Sequence, residues 1–244
     1  MKIRHYLYIA AAALLLTGSF FLPNAVAGIF DARRLDNLIT IDAQSIDYSI
    51  AYELNLPERI KFTTSPNTEI MAIKTGQVMD ADTAGDRAEA ELARFFAGGP
   101  FKISINDCTI EEGSATLIID SEKQSVSMIT WEFRLYDPAG NEVSVLIDDE
   151  TGVILRLYLS EKTDHDTSGS EGDGASAASN DDLYYSARRL TEMMTTYYSH
   201  IVLLGDYMFS SSMAYYRADL ISGGEVIPLY GVVRPTGFTM NERP

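Results

Sequence analysis

One cysteine, three histidines and one tryptophan are all that this chain of 244 residues holds of those three types. A lone thiol closes no internal disulfide, so stability has to come from burial and sheet pairing. Acting as a nucleophile, Cys108 would need a histidine base. His5 lies in the opening segment and His165 in a polar stretch, which leaves His200. A buried, inert thiol is the simpler reading of Cys108. The sequence contains neither His-Glu-x-x-His nor a glycine-rich phosphate loop, which removes the metalloprotease and nucleotide readings; no metal site and no cofactor are expected.

Positive charge is also scarce. Nineteen Lys and Arg face 35 Asp and Glu, for a net charge of −16. Such a surface repels phosphate backbones and anionic headgroups, so nucleic acid is not an expected partner. The charge keeps the chain soluble, and it is compatible with attraction to a basic protein or a divalent cation.

The few early basic residues sit in a meaningful order. Met1-Lys-Ile-Arg-His5 precedes an apolar run from Tyr6 to Leu22, and Ala25-Val26-Ala27 supplies a small-x-small tripeptide. These are the parts of a secretory signal peptide over residues 1–27, with cleavage after Ala27. The run, about 17 residues, exceeds a usual signal core and reaches the lower edge of a membrane span, so a retained anchor through residues 6–22 stays open beside the cleaved signal. Lys2 and Arg4 favour a cytoplasmic amino terminus, while Arg33 and Arg34 weaken that asymmetry. No cysteine follows the run closely, which excludes a lipoprotein anchor. The rest of the chain is expected outside the cytoplasm, secreted or held at the cell membrane.

Residues 161–181 contain no Leu, Ile, Val, Met or aromatic residue. An acidic segment with nothing to bury reads as a flexible linker, and it divides the remainder into residues 28–160 and 182–244. In the first part, Ile39, Ala43, Ile46, Ile50 and Leu54 fit one face of a helix ending before Pro57. Short strands are expected over Arg59–Thr64 and Glu69–Lys74. Ala84, Ala88, Leu92, Phe95 and Phe96 mark a helix over Thr83–Ala97, capped by Asp80 or Asp82 and stopped by Gly98, Gly99 and Pro100. From Phe101 to Leu159 the period becomes two. Ile129, Trp131, Phe133 and Leu135 alternate with polar residues, as do Val143, Val145 and Ile147, and Val153 to Leu159 forms a further strand. The short turns at 137–141 and 148–152 force an antiparallel meander.

The second part repeats this order. Asn180 caps a helix with Leu183, Ala187, Leu190, Met194 and Tyr197 or Tyr198 on its apolar stripe. Strands follow at Ile201–Phe209, Met213–Ile221 and Glu225–Val233, the last placed at an edge or bulge because Pro228 cannot donate to a ladder. The predicted fold class is α+β: two modules, each a helix packed on an antiparallel meander, which suggests a structural duplication.

The segment Val143 to Leu155, with Asp148, Thr151, Gly152 and Val153, resembles the terminal hairpin of PepSY-type domains. The resemblance covers residues 83–159. It implies an extracytoplasmic, non-catalytic α+β module of the sort found in protease propeptides, membrane-anchored regulators and envelope proteins, and it carries over no catalytic residue. The second part has no turn of this kind.

Among candidate sites, Asp164-His-Asp-Thr-Ser-Gly169 imitates the start of an EF-hand loop, but the required glutamate at its twelfth position falls on Ala175. A solvated linker explains it. A Ser-His-Asp hydrolase could be assembled from His200, Asp206 and Ser199 or Ser210 to Ser212, yet no nucleophile elbow surrounds these serines. Eight of the 14 tyrosines lie beyond the linker. Adjacent Tyr215 and Tyr216 must point to opposite faces of a strand, so one ring leaves the core face, and Tyr230 stands on the next strand. Arg188 and Arg189 form a small basic spot that could recognise a carboxylate, with pairing to nearby acids as the plainer reading. Trp131 reads as core. The sequence therefore points to a non-enzymatic envelope protein that binds another extracytoplasmic protein through Tyr215, Tyr216, Tyr230, Arg188 and Arg189. A secreted hydrolase using His200 is the alternative.

Overall fold

The structure, a computed structural model, describes residues 54–241 except positions 98, 100, 102, 112, 123–125, 163–178 and 211. The leader, residues 39–53 of the helix expected to end before Pro57, most of the linker and the EF-hand-like stretch lie outside the described residues; Leu54 and Asn55, the described end of that expected helix, are not helical. Among these residues the elements are α1 (Leu56–Thr64), β1 (Thr68–Ile73), α2 (Ala81–Phe96), a 3-10 turn (Ile105–Asp107), β2 (Thr109–Ile110), β3 (Ser114–Asp120), β4 (Ser127–Tyr136), β5 (Glu142–Asp148) and β6 (Ile154–Ser160). Beyond the linker follow α3 (Asn180–Tyr198), β7 (Ile201–Ser210), β8 (Met213–Ser222), β9 (Glu225–Arg234) and β10 (Gly237–Met240).

The opening corrects one expectation. Arg59–Thr64 is helix α1, not a strand. Asn55 accepts from Glu58 N and the Glu58 side chain accepts from Asn55 N, a capping box, with Pro57 in the first turn. Proline there sacrifices no hydrogen bond, because the first N–H groups of a helix have no partner within it. Pro57 therefore starts a helix. The second helix is capped by Asp80, whose carboxylate accepts from Thr83 N at 2.9 Å, and it turns Ala84, Ala88, Leu92, Phe95 and Phe96 inward as its period requires. Ser179 caps α3, one residue before the expected Asn180.

All strands pair antiparallel in one sheet of order β1-β3-β4-β5-β6-β10-β9-β8-β7, with β2 added on β4. Where the sequence suggested two modules, the described residues share this one sheet and one core. The halves meet at β6 and β10, in the register Leu159↔Phe238 and Leu157↔Met240. Outward from that seam the order is β5, β4, β3 on one side and β9, β8, β7 on the other, so each half is a helix followed by a four-strand meander. Thr151-Gly152 precedes the last strand of the first half, and Thr236-Gly237 leads into the last strand of the second. β10 was missed because four residues after a turn carry too little pattern to read as a strand.

Pro228 is placed differently from expectation. Its strand is internal, between β8 and β10, but β10 reaches only Gly231–Arg234. The half of β9 that carries Pro228 therefore has one open side, where a missing donor costs nothing.

Packing fastens the halves together. Phe238 of β10 stands with its ring centroid 4.6 Å from that of Phe101 and 6.3 Å from that of Phe96. The Tyr197 hydroxyl accepts from Ile154 N at 2.9 Å and donates to the buried Glu91 carboxylate at 2.7 Å, while the Tyr198 hydroxyl donates to Ile154 O at 2.9 Å. Two residues at the end of α3 thus satisfy both backbone groups of the first residue of β6. Glu91 also receives Arg87 and Arg94, so its charge is paired although the side chain is buried.

Burial pushes the Tyr198 phenol well above its ordinary value, and burial together with the Glu91 carboxylate does the same to Tyr197. A phenol that ionises more readily in the unfolded chain contributes nothing below about pH 10 and lowers stability above it, by roughly 1.4 kcal/mol per pH unit for each such group. Urea unfolding of the parent chain at pH 10 to 11 should show that decline, and Tyr198→Phe should reduce the slope by about one proton's worth. Identical slopes would show that the Tyr198 phenol is not buried.

Candidate interaction surface

Two polar clusters in the first half serve the fold. At the β5–β6 turn, Asp148 accepts from Thr151 N at 2.8 Å and Thr151 Oγ1 at 2.6 Å with one oxygen and from Arg59 Nη1 at 2.6 Å with the other. Asp149 accepts from Gln77 N, Val78 N and Met79 N and from Trp131 Nε1 at 2.8 Å. Gly152 follows at φ +71°, a conformation that glycine adopts without strain. Arg59 bonds Glu150 as well. Arg59, Gln77, Val78, Asp148, Asp149 and Glu150 line a hollow of about 370 Å³, and the Asp148 and Asp149 carboxylates are engaged in holding α1, the loop before α2 and β4 to the hairpin. Trp131 is core, as expected, 1% exposed.

The second cluster surrounds Glu91. Arg94 lies over the Tyr197 ring, its guanidinium carbon 4.4 Å from the centroid.

Cys108 and His200 are tied to the backbone. The Cys108 thiol donates to Ser104 O at 3.3 Å, and burial with Asp137, Glu89 and Asp107 nearby pushes it up to about 11. At neutral pH a thiol so placed holds very little thiolate. His200 Nδ1 lies 2.7 Å from Tyr198 O, and no hydrogen bond among the described residues joins the ring to a serine or to Asp206. Groups of three or more His, Cys, Asp or Glu able to hold a metal ion do not occur among the described residues.

The surface that stands out is apolar. On β8, Ala214, Tyr216, Ala218 and Leu220 are buried toward the helices, so Tyr215, Arg217, Asp219 and Ile221 occupy the outer face. Cross-strand register extends that face: Ile201, Ile221 and Val226 form one row, Leu203, Asp219 and Pro228 another, and Met208, Tyr215 and Val232 a third. Ten large hydrophobic side chains are exposed among the described residues. Five of them, Ile201, Leu203, Met208, Tyr215 and Val226, share this one face. Met208 is 64% exposed and Ile201 58%. The Arg217–Asp219 ion pair, 2.8 Å, crosses its middle, and the Asp219 carboxylate holds Arg217 above its usual value. Lys61 and Thr64 of α1 border the face at β9, where a hollow of about 400 Å³ is lined by Val226, Pro228 and Tyr230.

The residues singled out from sequence divide here. Tyr215 and the half-buried Tyr230 lie on the outer face. Tyr216 does not: it is 3% exposed and donates to Thr239 O at 3.0 Å, with its ring against Gly231, where any side chain would collide with it. That pair points to opposite faces as expected, and Tyr216 is the buried member. Arg188 and Arg189 are exposed on α3 rather than on the strands of the face, and both pair with Glu192. Ile201, Leu203, Met208 and Val226 were missed. The run Ile201-Val202-Leu203-Leu204 carried the signal, because a strand apolar at successive positions has to show hydrophobic side chains on both faces.

Comparison with family models, with curated proteins and with solved structures finds no match to this chain. The site is therefore read from its geometry alone.

Replacing Tyr216 by Ala should cost about 3 to 5 kcal/mol in urea unfolding, since the ring and its hydroxyl are both buried. Tyr215→Ala should stay within about 0.5 kcal/mol. Comparable losses for the two variants would invert the assignment of faces.

Proposed function

We propose that this chain is an exported, non-enzymatic binding protein of the cell envelope that docks another extracytoplasmic protein on the outer face of β7, β8 and β9. The observation that carries the reading is the clustering of Ile201, Leu203, Met208, Tyr215 and Val226 on one sheet face. Exposed hydrophobic side chains gathered on one face, flanking a polar pair, are the composition of an interaction surface, and tyrosine and methionine are favoured at interface cores. The basic, apolar and small-residue order of residues 1–27 supports the compartment. No helix among the described residues is long and apolar enough to cross a membrane, and the leader lies outside them. We read the two halves as two copies of one helix-and-meander unit joined through their last strands, the first bearing the PepSY-like hairpin at Asp148, Thr151, Gly152 and Val153.

Charge restricts the partner. A chain of net charge −16 attracts basic proteins and repels anionic membrane surfaces. Site-specific photocrosslinkers at positions 203, 208 and 226, expressed in the producing cell, should capture the same protein. The control position 86, exposed on α2, should not. Equal yields at all four positions, or none at the first three, would contradict the proposal.

A further inference from the structure

We propose that the open edge of β7 receives an extended strand from the partner protein, paired antiparallel along Ile201–Leu204, as β3 receives β1 in the other half. The inference rests on the binding reading above and adds its mode. β3 and β7 hold corresponding places: each is the first sheet strand after the packing helix that belongs to its half's meander, and each lies outermost in that meander, three strands from the seam. Outside β3 lies β1, in the register Thr68↔Asp120 through Ile73↔Ala115. Outside β7 lies no strand among the described residues. Among the described residues the same architecture is thus completed on one side and open on the other.

Along Ile201–Leu204, before its bulge, the edge lacks the usual protections. Natural edge strands are kept short or carry lysine, proline or inward charges. β1, the opposite edge, has six residues and includes Glu69, with Lys74 directly after it. β7 has ten residues, with Asp206 its single charge and no lysine, arginine or proline. A register shift between Leu204 and Tyr207 leaves Gly205 and Asp206 as a bulge and divides β7 into two regular stretches. The first, Ile201–Leu204, carries no charge and exposes Ile201 and Leu203 on the outer face.

These features define the occupant. Backbone pairing would supply affinity, and aliphatic or aromatic side chains at alternate positions would lie beside Ile201 and Leu203. Asp206 in the bulge and the net charge of −16 select lysine or arginine on the same segment. A second copy of the chain would bring the same negative charge to the edge and fits less well.

The test uses the purified full chain and ten-residue peptides selected from a displayed random library. Selected peptides should alternate apolar residues, include lysine or arginine, crosslink to a photoreactive residue at position 203 and lose at least tenfold in affinity to Leu203→Lys. N-methylation of a bound peptide should cost at least tenfold at alternate positions and little between them, because only every second amide of an added strand faces its neighbour. Peptides that crosslink at position 203 but ignore N-methylation would overturn strand addition and leave the outer-face reading standing. Peptides that crosslink elsewhere, or a selection that yields none, would overturn both. A concentration-dependent dimer abolished by Leu203→Lys would replace the partner strand by a second copy.

Discussion

The pairing of β6 with β10 is the constraint on which the rest of the molecule depends. Those two strands end their respective meanders, and joining them turns two half-sheets into one surface with a shared core. A four-residue strand is a small seam. It is reinforced from the helix side, where Tyr197 and Tyr198 satisfy the N–H and C=O of Ile154. Buried backbone groups left unpaired would cost about 1 to 3 kcal/mol each, so these phenols matter beyond their packing. Phe238 then fills the space against Phe95, Phe96 and Phe101, linking β10 to the helix of the other half.

The acidic turn after β5 plays a second, local part. Asp149 gathers three consecutive amides and the Trp131 indole, and Asp148 gathers Thr151 and Arg59. Carboxylates surrounded by donors in this way orient the segments that supply them, here α1, the loop before α2 and the wall of the sheet. The chemistry of the first half is consequently consumed internally. Among the described residues of the second half, the outer face carries the Arg217–Asp219 ion pair and the exposed side chains of Ile201, Leu203, Met208, Tyr215 and Val226.

Much of this was legible in the sequence because period and turn chemistry agreed. The α2 and α3 stripes, the alternation around Trp131 and the glycine turns each followed from local rules. The failures have specific physical causes. Pro57 can end one helix or begin the next, and only the Asn55–Glu58 pairing decides. Pro228 excludes a donor, but a strand can be internal over part of its length and open over the rest. Tyr215 and Tyr216 differ by one position, and nothing local says which face is covered. That depends on α3, which packs on β8. The seam itself was not legible: a single continuous sheet requires residues 83 apart in number to meet, as Leu157 and Met240 do, and no period in the chain encodes that distance.

Under the proposed function, stability and recognition are linked. If the halves form one cooperative body, the outer face of β7 to β9 is presented on a rigid sheet, and a partner meets an ordered surface rather than a tethered module. Native-state hydrogen exchange at the seam measures this most directly. The amides of β6 and β10 should exchange with the same free energy, equal to that of global unfolding, as expected of one continuous cooperative sheet. Exchange of β10 together with β7, β8 and β9 at a distinctly lower free energy, while β4 to β6 stay protected, would show two independent modules and contradict it.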